Sequence, residues 1–148
     1  MFHFKLSSLL FYRRQLEDMA QLDFSNAVQA WHQETAKLEQ YQTLWRFCLE
    51  QWRKAQEGIV SIHEIELYQR YMLRLREEIR LQIEKVRQCI SVMDEKRDKL
   101  LQAQKERKII EKLHDYEYER YRGDLARREA RFHDEISTQR YVRKDNPL

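Results

Sequence analysis

The sequence predicts an all-α chain: two long helices folded back on each other as an antiparallel coiled-coil hairpin, the second helix longer and overhanging. Three observations predict it. Residues that make turns are nearly absent, two apolar stripes recur at alternating three- and four-residue spacing, and one helix-stop, helix-start signature lies between them. The 148 residues include two glycines, Gly58 and Gly123, and one proline, Pro147. Average usage is about 7% glycine and 5% proline, so a fold of many short elements lacks its punctuation here. Charged residues make up 36% and hydrophobic ones 42%, the balance of long helices with a narrow apolar stripe and a wide solvated surface.

The first stripe reads Leu6, Leu9, Arg13, Leu16, Ala20, Phe24, Ala27, Trp31, Glu34, Leu38, Tyr41, Trp45, Cys48, Trp52, Ala55. All are apolar except Arg13 and Glu34, and the heptad-like spacing has one stutter, at Ala20–Phe24. Nothing breaks it before Gly58, so the first helix is expected from about Ser7 to about Glu57. Gly58 suits the left-handed position just past a helix end. Ser61 then offers a cap to the backbone N–H of Glu64, whose carboxylate can reach back, and Val60 can staple onto Ile65. A stop and a start within so few residues force the chain to reverse at about 58–61.

The second stripe reads Ile62, Ile65, Tyr68, Met72, Leu75, Ile79, Ile83, Val86, Ile90, Met93, and thins through Arg97, Leu100, Ala103 and Arg107. It resumes at Ile110 and Leu113 and continues through Tyr121, Leu125, Phe132 and Ile136. This helix is expected over about 62–141, ending before Asn146-Pro147, and the whole of 1–148 reads as one hairpin. Pairing about the turn sets Leu6 against the region of Leu113. The residues beyond His114 then overhang, with apolar side chains that have no partner in the chain, and such a surface points to an interaction site.

Charge and cysteine usage narrow the function classes. A net charge of +3 on 28 basic and 25 acidic residues, both signs interspersed, gives no reason to expect a nucleic-acid partner. No apolar run approaches the roughly 18 residues of a membrane span. The apolar start is interrupted by Lys5 and followed by Arg13 and Arg14, unlike a secretory leader. Two cysteines, Cys48 and Cys89, are too few for a disulfide framework, and the expected location is cytoplasmic.

Catalysis needs groups converging in a pocket, which a two-helix rod lacks, so no enzymatic activity and no cofactor are expected. Glu111-x-x-His114 matches di-iron spacing once, but that site needs two such motifs and two further carboxylates, so no metal is expected. Trp31, Tyr41, Trp45, Phe47, Trp52, Tyr68 and Tyr71 crowd the half near the turn. A narrow seam cannot bury them all, and those left outside suit a protein interface. Arg13 and Glu34 are either register-setting or partner-facing.

Phe2-x-Phe4-Lys5-Leu6-x-x-Leu9-Leu10-x-Tyr12-Arg13, followed by Leu16-Glu17-Asp18-x-Ala20, resembles the opening of the flagellar export protein FliJ family. Glu106-Arg107-Lys108-x-x-Glu111-Lys112-Leu113, followed by Glu129 and Asp134-Glu135, is similar to that family's closing segment. Tyr68-Gln69-x-Tyr71-x-x-x-Leu75 is similar to its post-turn helix start.

The resemblance implies a non-enzymatic component of the flagellar type III export apparatus, a coiled coil similar to the stalk of rotary ATPases. It implies binding to the hexameric export ATPase, promotion of ring assembly, and contact with the cytoplasmic domain of the export gate. Some members also handle export chaperones. It implies a place at the cytoplasmic face of the inner membrane, held through partners. Carried onto this sequence, the ATPase contact falls on Leu6, Leu9, Leu10, Arg13, Leu113, Tyr121, Leu125 and Phe132. The gate contact falls on Tyr41, Leu44, Tyr71 and Leu75. Two alternatives stay open: the equivalent stalk of a virulence secretion system, and a generic coiled-coil scaffold or homodimeric spacer.

Overall fold

The computed structural model describes residues 1–58 and 61–145. Two helices account for nearly all of them: α1, Ser7–Gln56, of 50 residues, and α2, Ile62–Asp145, of 84 residues. They pack against each other, and no strand occurs among the described residues. α1 ends one residue before the expected boundary. α2 runs straight through Gly123 and goes on four residues beyond the predicted end, to the last described residue. Arg143 and Lys144 occupy its final turn, where cations favour the negative end of the helix dipole.

The reversal is built differently from the expectation. Gly58 does not take a left-handed conformation. α1 instead tightens into i→i+3 bonds: Glu57 N–H donates to the Lys54 carbonyl at 3.2 Å and Gly58 N–H to Ala55 at 3.4 Å. Such bonds satisfy the last carbonyls without any residue at positive φ. On the other side Ser61 caps α2, its Oγ accepting from Glu64 N–H at 3.3 Å and its carbonyl from the N–H groups of Glu64 and Ile65. The reciprocal bond from the Glu64 carboxylate is not formed among the described residues. Val60, expected to staple onto Ile65, lies outside them.

Every position of the first apolar stripe is buried or half-buried, including Arg13 and Glu34. The α2 seam departs from the second stripe. It follows Ile65, Tyr68, Met72, Leu75, Ile79, Gln82, Val86, Cys89, Met93, Lys96, Leu100, Ala103, Arg107, Ile110, His114, Glu117 and Tyr121, strictly alternating three and four, each buried or half-buried. Gln82, Cys89, Lys96 and His114 thus stand where Ile83, Ile90, Arg97 and Leu113 were expected, and those four lie exposed beside the seam. Ile62, at the helix start, is exposed as well. An uninterrupted 3.5-residue repeat keeps one face toward the partner helix, and the geometry of that repeat outranks the hydrophobicity of any one residue.

The chain divides into two compact units: Met1–Glu17 with Ala103–Leu148, and Asp18–Gln102. The Asp18–Gln102 unit contains the turn. Its core is a thin apolar seam with Ala27, Cys48, Leu75 and Leu100 buried, plus one buried polar side chain, Gln82, 3% exposed. The other unit joins the start of α1 to the second half of α2. It buries Phe4 and Leu10, and from 122 to 145 every residue but Ile136 is exposed.

Candidate interaction surfaces

In the turn-containing unit, one contact explains the polar break in the first stripe. Gln82 Nε2 donates to the Glu34 carboxylate at 2.6 Å and to the Glu34 backbone carbonyl at 2.8 Å. A carboxylate turned into a seam needs a donor facing it. Gln82 supplies one and Ile83 cannot, which is a physical reason for the seam to run through Gln82. Donation from Gln82, with Lys37 Nζ at 3.2 Å, holds the Glu34 carboxyl below its ordinary range. Glu34 is therefore a register-setting residue.

The aromatic residues near the turn split into two groups. Trp31, Tyr41, Trp45, Trp52 and Tyr68 are half-buried, while Phe47 and Tyr71 stand out in solvent. Trp45 and Trp52 wall a shallow groove with Gln69, Met72, Leu73 and Arg76, and a second groove is lined by Ala55, Glu64, Leu67, Tyr68 and Tyr71. Of the four residues expected to meet the gate, Tyr71 and Leu44 are exposed and Tyr41 is half-buried. Leu75 is spent on the seam, 5% exposed. A partner can reach the tyrosines and Leu44 but not Leu75 without opening the pair.

In the terminal unit, residues 1–6 form a clasp that the periodicity of the helices does not announce. The Phe2 ring lies 5.3 Å from Tyr118, 5.4 Å from Tyr121 and 5.6 Å from His114, and the Phe4 ring meets His114 edge-on at 5.0 Å. Phe4 is among the best-buried residues of the chain. Ser7 N–H donates to the Phe4 carbonyl at 3.2 Å, where the clasp turns into α1. His114, considered for a metal, is an aromatic partner here.

Next to the clasp, charge replaces apolar packing. Arg13 Nη1 meets Glu106 Oε2 at 2.5 Å across the helix pair. Arg107 joins Glu17 on α1 to Glu111 on its own helix, the latter at 2.5 Å, and Arg14 reaches Glu111 at 3.3 Å. Partial burial works against the charge on Glu111, but donation from Arg107 and Arg14 outweighs it, and its carboxyl sits below the usual range. The bonds that Arg107 donates, to Glu111 first and then to Glu17, push its guanidinium further toward the protonated form. Arg13 thus serves the helix pairing, and Glu111 is bound to two arginines. No group of three metal-ligating side chains occurs among the described residues.

Of the other residues expected at the terminal contact, Leu10 is buried, and Leu6, Leu9 and Tyr121 are half-buried in the unit. Leu113, Leu125 and Phe132 are exposed, Phe132 by 61%. At about 100° per residue, His114, Tyr121, Leu125, Phe132 and Ile136 fall within about 60° of one another on α2. One apolar face therefore continues from the part that holds Phe2 and Phe4 into a stretch that no other part of the chain covers among the described residues. Leu113 does not belong to this face. It lies with Ile109 and Tyr116 on the outer side of the helix, two residues the sequence reading passed over because they fall outside the repeat.

No described helix is long and apolar enough to cross a membrane. The family model described as Flagellar FliJ protein matches residues 2–146. No curated protein and no solved structure matches the chain.

Proposed function

The chain belongs to the flagellar FliJ protein family, and from that premise we propose that it serves flagellar protein export as a stalk-like adaptor between the hexameric export ATPase and the cytoplasmic domain of the export gate. The observation that carries this reading is the apolar face of α2 that outlasts its partner, through Leu125, Phe132 and Ile136. A helix face that carries the apolar side of α2 on past Tyr121, with Leu125 and Phe132 left in solvent, is suited to accept helices of another protein in the manner of α1. The ATPase contact is placed there and at Tyr121. The gate contact is placed on Tyr41, Leu44 and Tyr71, beside the tryptophan groove. Export chaperones are further candidate partners for the same exposed surfaces, and any membrane association is indirect, through the gate.

In this reading the chain performs no chemistry. It acts by mass action: a ligand that binds the assembled hexamer and not its separate subunits shifts assembly toward the ring. Stimulation of ATP hydrolysis should then be largest at low ATPase concentration. Replacing Leu125 and Phe132 together with Asp should abolish stimulation while helix content stays unchanged, because both side chains already face water. Replacing Tyr41 and Tyr71 with Ala should spare stimulation and weaken gate binding. Loss of stimulation in the tyrosine variant alone would reverse the assignment of ends. Stimulation indifferent to both changes, together with a concentration-dependent dimer in sedimentation, would favour a homodimeric spacer.

A further inference from the structure

The outer side of α2 in the terminal unit carries a second surface, separate from the seam face. Ile109, Leu113 and Tyr116 recur at i, i+4 and i+7 and are 64%, 38% and 67% exposed. Lys105, Lys112 and Arg120 lie among them, all six within about 100° of the helix circumference, and Ile109 is turned about 140° away from His114. Six other exposed cations of α2 are matched by acids one turn away, Arg80 by Glu77, Arg87 by Glu84, Arg97 by Asp94, Lys99 by Glu95, Arg122 by Glu119 and Arg127 by Asp124, whereas others, such as Arg70, Arg74 and Arg131, are not. Lys105, Lys112 and Arg120 make no such pair among the described residues. Asp115, one turn from Lys112, is bonded to His114 instead.

We propose that this face, from Lys105 to Arg120, docks an amphipathic helix of a partner protein whose apolar side chains are flanked by Asp and Glu. Three apolar side chains at helical spacing fit the a/d-type positions of one other helix, and the unpaired cations fit acids at its flanks. A second copy of the same face does not fit. Antiparallel packing would set Lys105 against Arg120 and bring Lys112 beside its own copy, and like charges directly opposed disfavour association. A lipid surface fits less well. A single acyl chain of a dozen or so methylenes gives only marginal membrane attachment, and this stripe offers less apolar reach and no tryptophan or phenylalanine. Of the residues of this face only Leu113 was expected at the ATPase contact; Ile109, Tyr116 and the three cations belong to neither the ATPase nor the gate contact, and the surface lies apart from the Tyr121, Leu125 and Phe132 face.

The test places the photo-reactive residue p-benzoylphenylalanine at Tyr116 of the full-length protein in its native cells, with the adduct mapped by mass spectrometry. Tyr116 is exposed, so the substitution should leave helix content and melting unchanged. The expected result is an adduct to a protein segment with apolar residues at helical spacing and acidic flanks. Its yield should drop at least about tenfold when Lys105, Lys112 and Arg120 are all changed to Glu, and should persist when Lys105 and Lys112 are changed to Arg. No adduct, an adduct between two copies of this chain, a segment without acidic flanks, or a yield unmoved by charge reversal would each overturn the proposal. Flotation of the purified protein with phosphatidylcholine–phosphatidylglycerol vesicles, lost in the triple Glu variant, would overturn it in favour of a membrane surface if no protein adduct forms.

Discussion

The two units solve the same problem, holding two helices together, by different means. The turn-containing unit uses an apolar seam with Leu75 and Leu100 buried and a polar pin, Gln82 on Glu34. The terminal unit uses an aromatic clasp, Phe2 and Phe4 on His114, Tyr118 and Tyr121, followed by a cluster of ion pairs around Arg107. Apolar burial is not screened by salts such as sodium chloride and is weakly sensitive to pH, whereas partly exposed ion pairs are screened and titrate. The same fold is thus stabilised by contacts that respond differently to solution conditions, and the responsive ones stand beside the exposed apolar face of α2.

The largest expected effect is in the apolar seam. Leu75→Ala should cost about 3 kcal/mol by lost burial and the cavity left behind, read as a lower denaturation midpoint, with the same loss at low and high salt. A loss under about 0.5 kcal/mol would mean that the seam carries little of the stability and that the contrast between the units is wrong.

Gln82→Ala comes next, at about 2 kcal/mol, because it removes the donor that faces Glu34 across the seam and leaves the carboxylate to Lys37 alone. Gln82→Ile tests the register itself. If apolar character were all the layer required, this variant would be as stable as the parent. The Glu34 bond predicts that it is weaker, and that Glu34→Leu combined with Gln82→Ile recovers the loss.

Acid should act on both units through carboxyls that are held low, among them Glu34 and, on the surface beside Arg80, Glu77 in one, and Glu111 in the other. A carboxyl with a folded pKa below its unfolded value, about 4.3–4.5, contributes stability that is present above that value. The contribution is lost as pH falls through the folded pKa. The melting temperature should therefore hold from neutral pH to about pH 5 and decline below about pH 4.5. Glu111→Gln should flatten part of that decline and also reduce the effect of added salt, while Glu34→Gln should flatten part of it with little change in salt response. A decline that neither variant alters would place the acid sensitivity elsewhere.

The smallest effect concerns the reversal. Gly58→Val should change stability by no more than about 0.5 kcal/mol, since Gly58 is not at positive φ and a Cβ there meets nothing within 4 Å. Ser61→Ala at the same turn should cost about 1 kcal/mol through the lost cap. If Gly58→Val proves the costlier of the two, the chain reverses through a left-handed residue after all.

The legibility of this protein varies with how a position is chosen. In the first helix the apolar repeat was sufficient: all of its stripe, from Leu6 to Ala55, lies in the seam. In the second helix hydrophobicity pointed to Ile83 and Ile90, one residue away from Gln82 and Cys89. A charged residue inside an apolar layer, Glu34, was the available signal, because it demands a polar partner on the facing helix. The clasp aromatics Phe2 and Phe4 left no trace in the helical repeat, since they precede the helix and its stripe begins only at Leu6. The exposed ends of the candidate contacts, Tyr71, Leu125 and Phe132, were legible as apolar residues in excess of what a narrow seam can bury. That Leu10 and Leu75 are consumed within the chain was not.

What the sequence determined by itself is local and periodic. With almost no glycine or proline the backbone has little alternative to helix, and a serine cap sits where one helix must give way to another. Two stripes of nearly equal period then require the helices to meet. What the tertiary structure decided is phase and partnership. A stripe specifies a face only to within one residue, because neighbours such as Gln82 and Ile83 differ by about 100° around a helix whose apolar arc is about that wide. Which of the two turns inward depends on the side chain across the seam, and that depends on pairing positions far apart in the chain. The Gln82–Glu34 bond, the sharing of Arg107 between Glu17 and Glu111, and the seating of Phe2 on Tyr121 are all contacts of this kind. They exist only once both helices are in place, and they fix which apolar side chains remain in solvent to meet another protein.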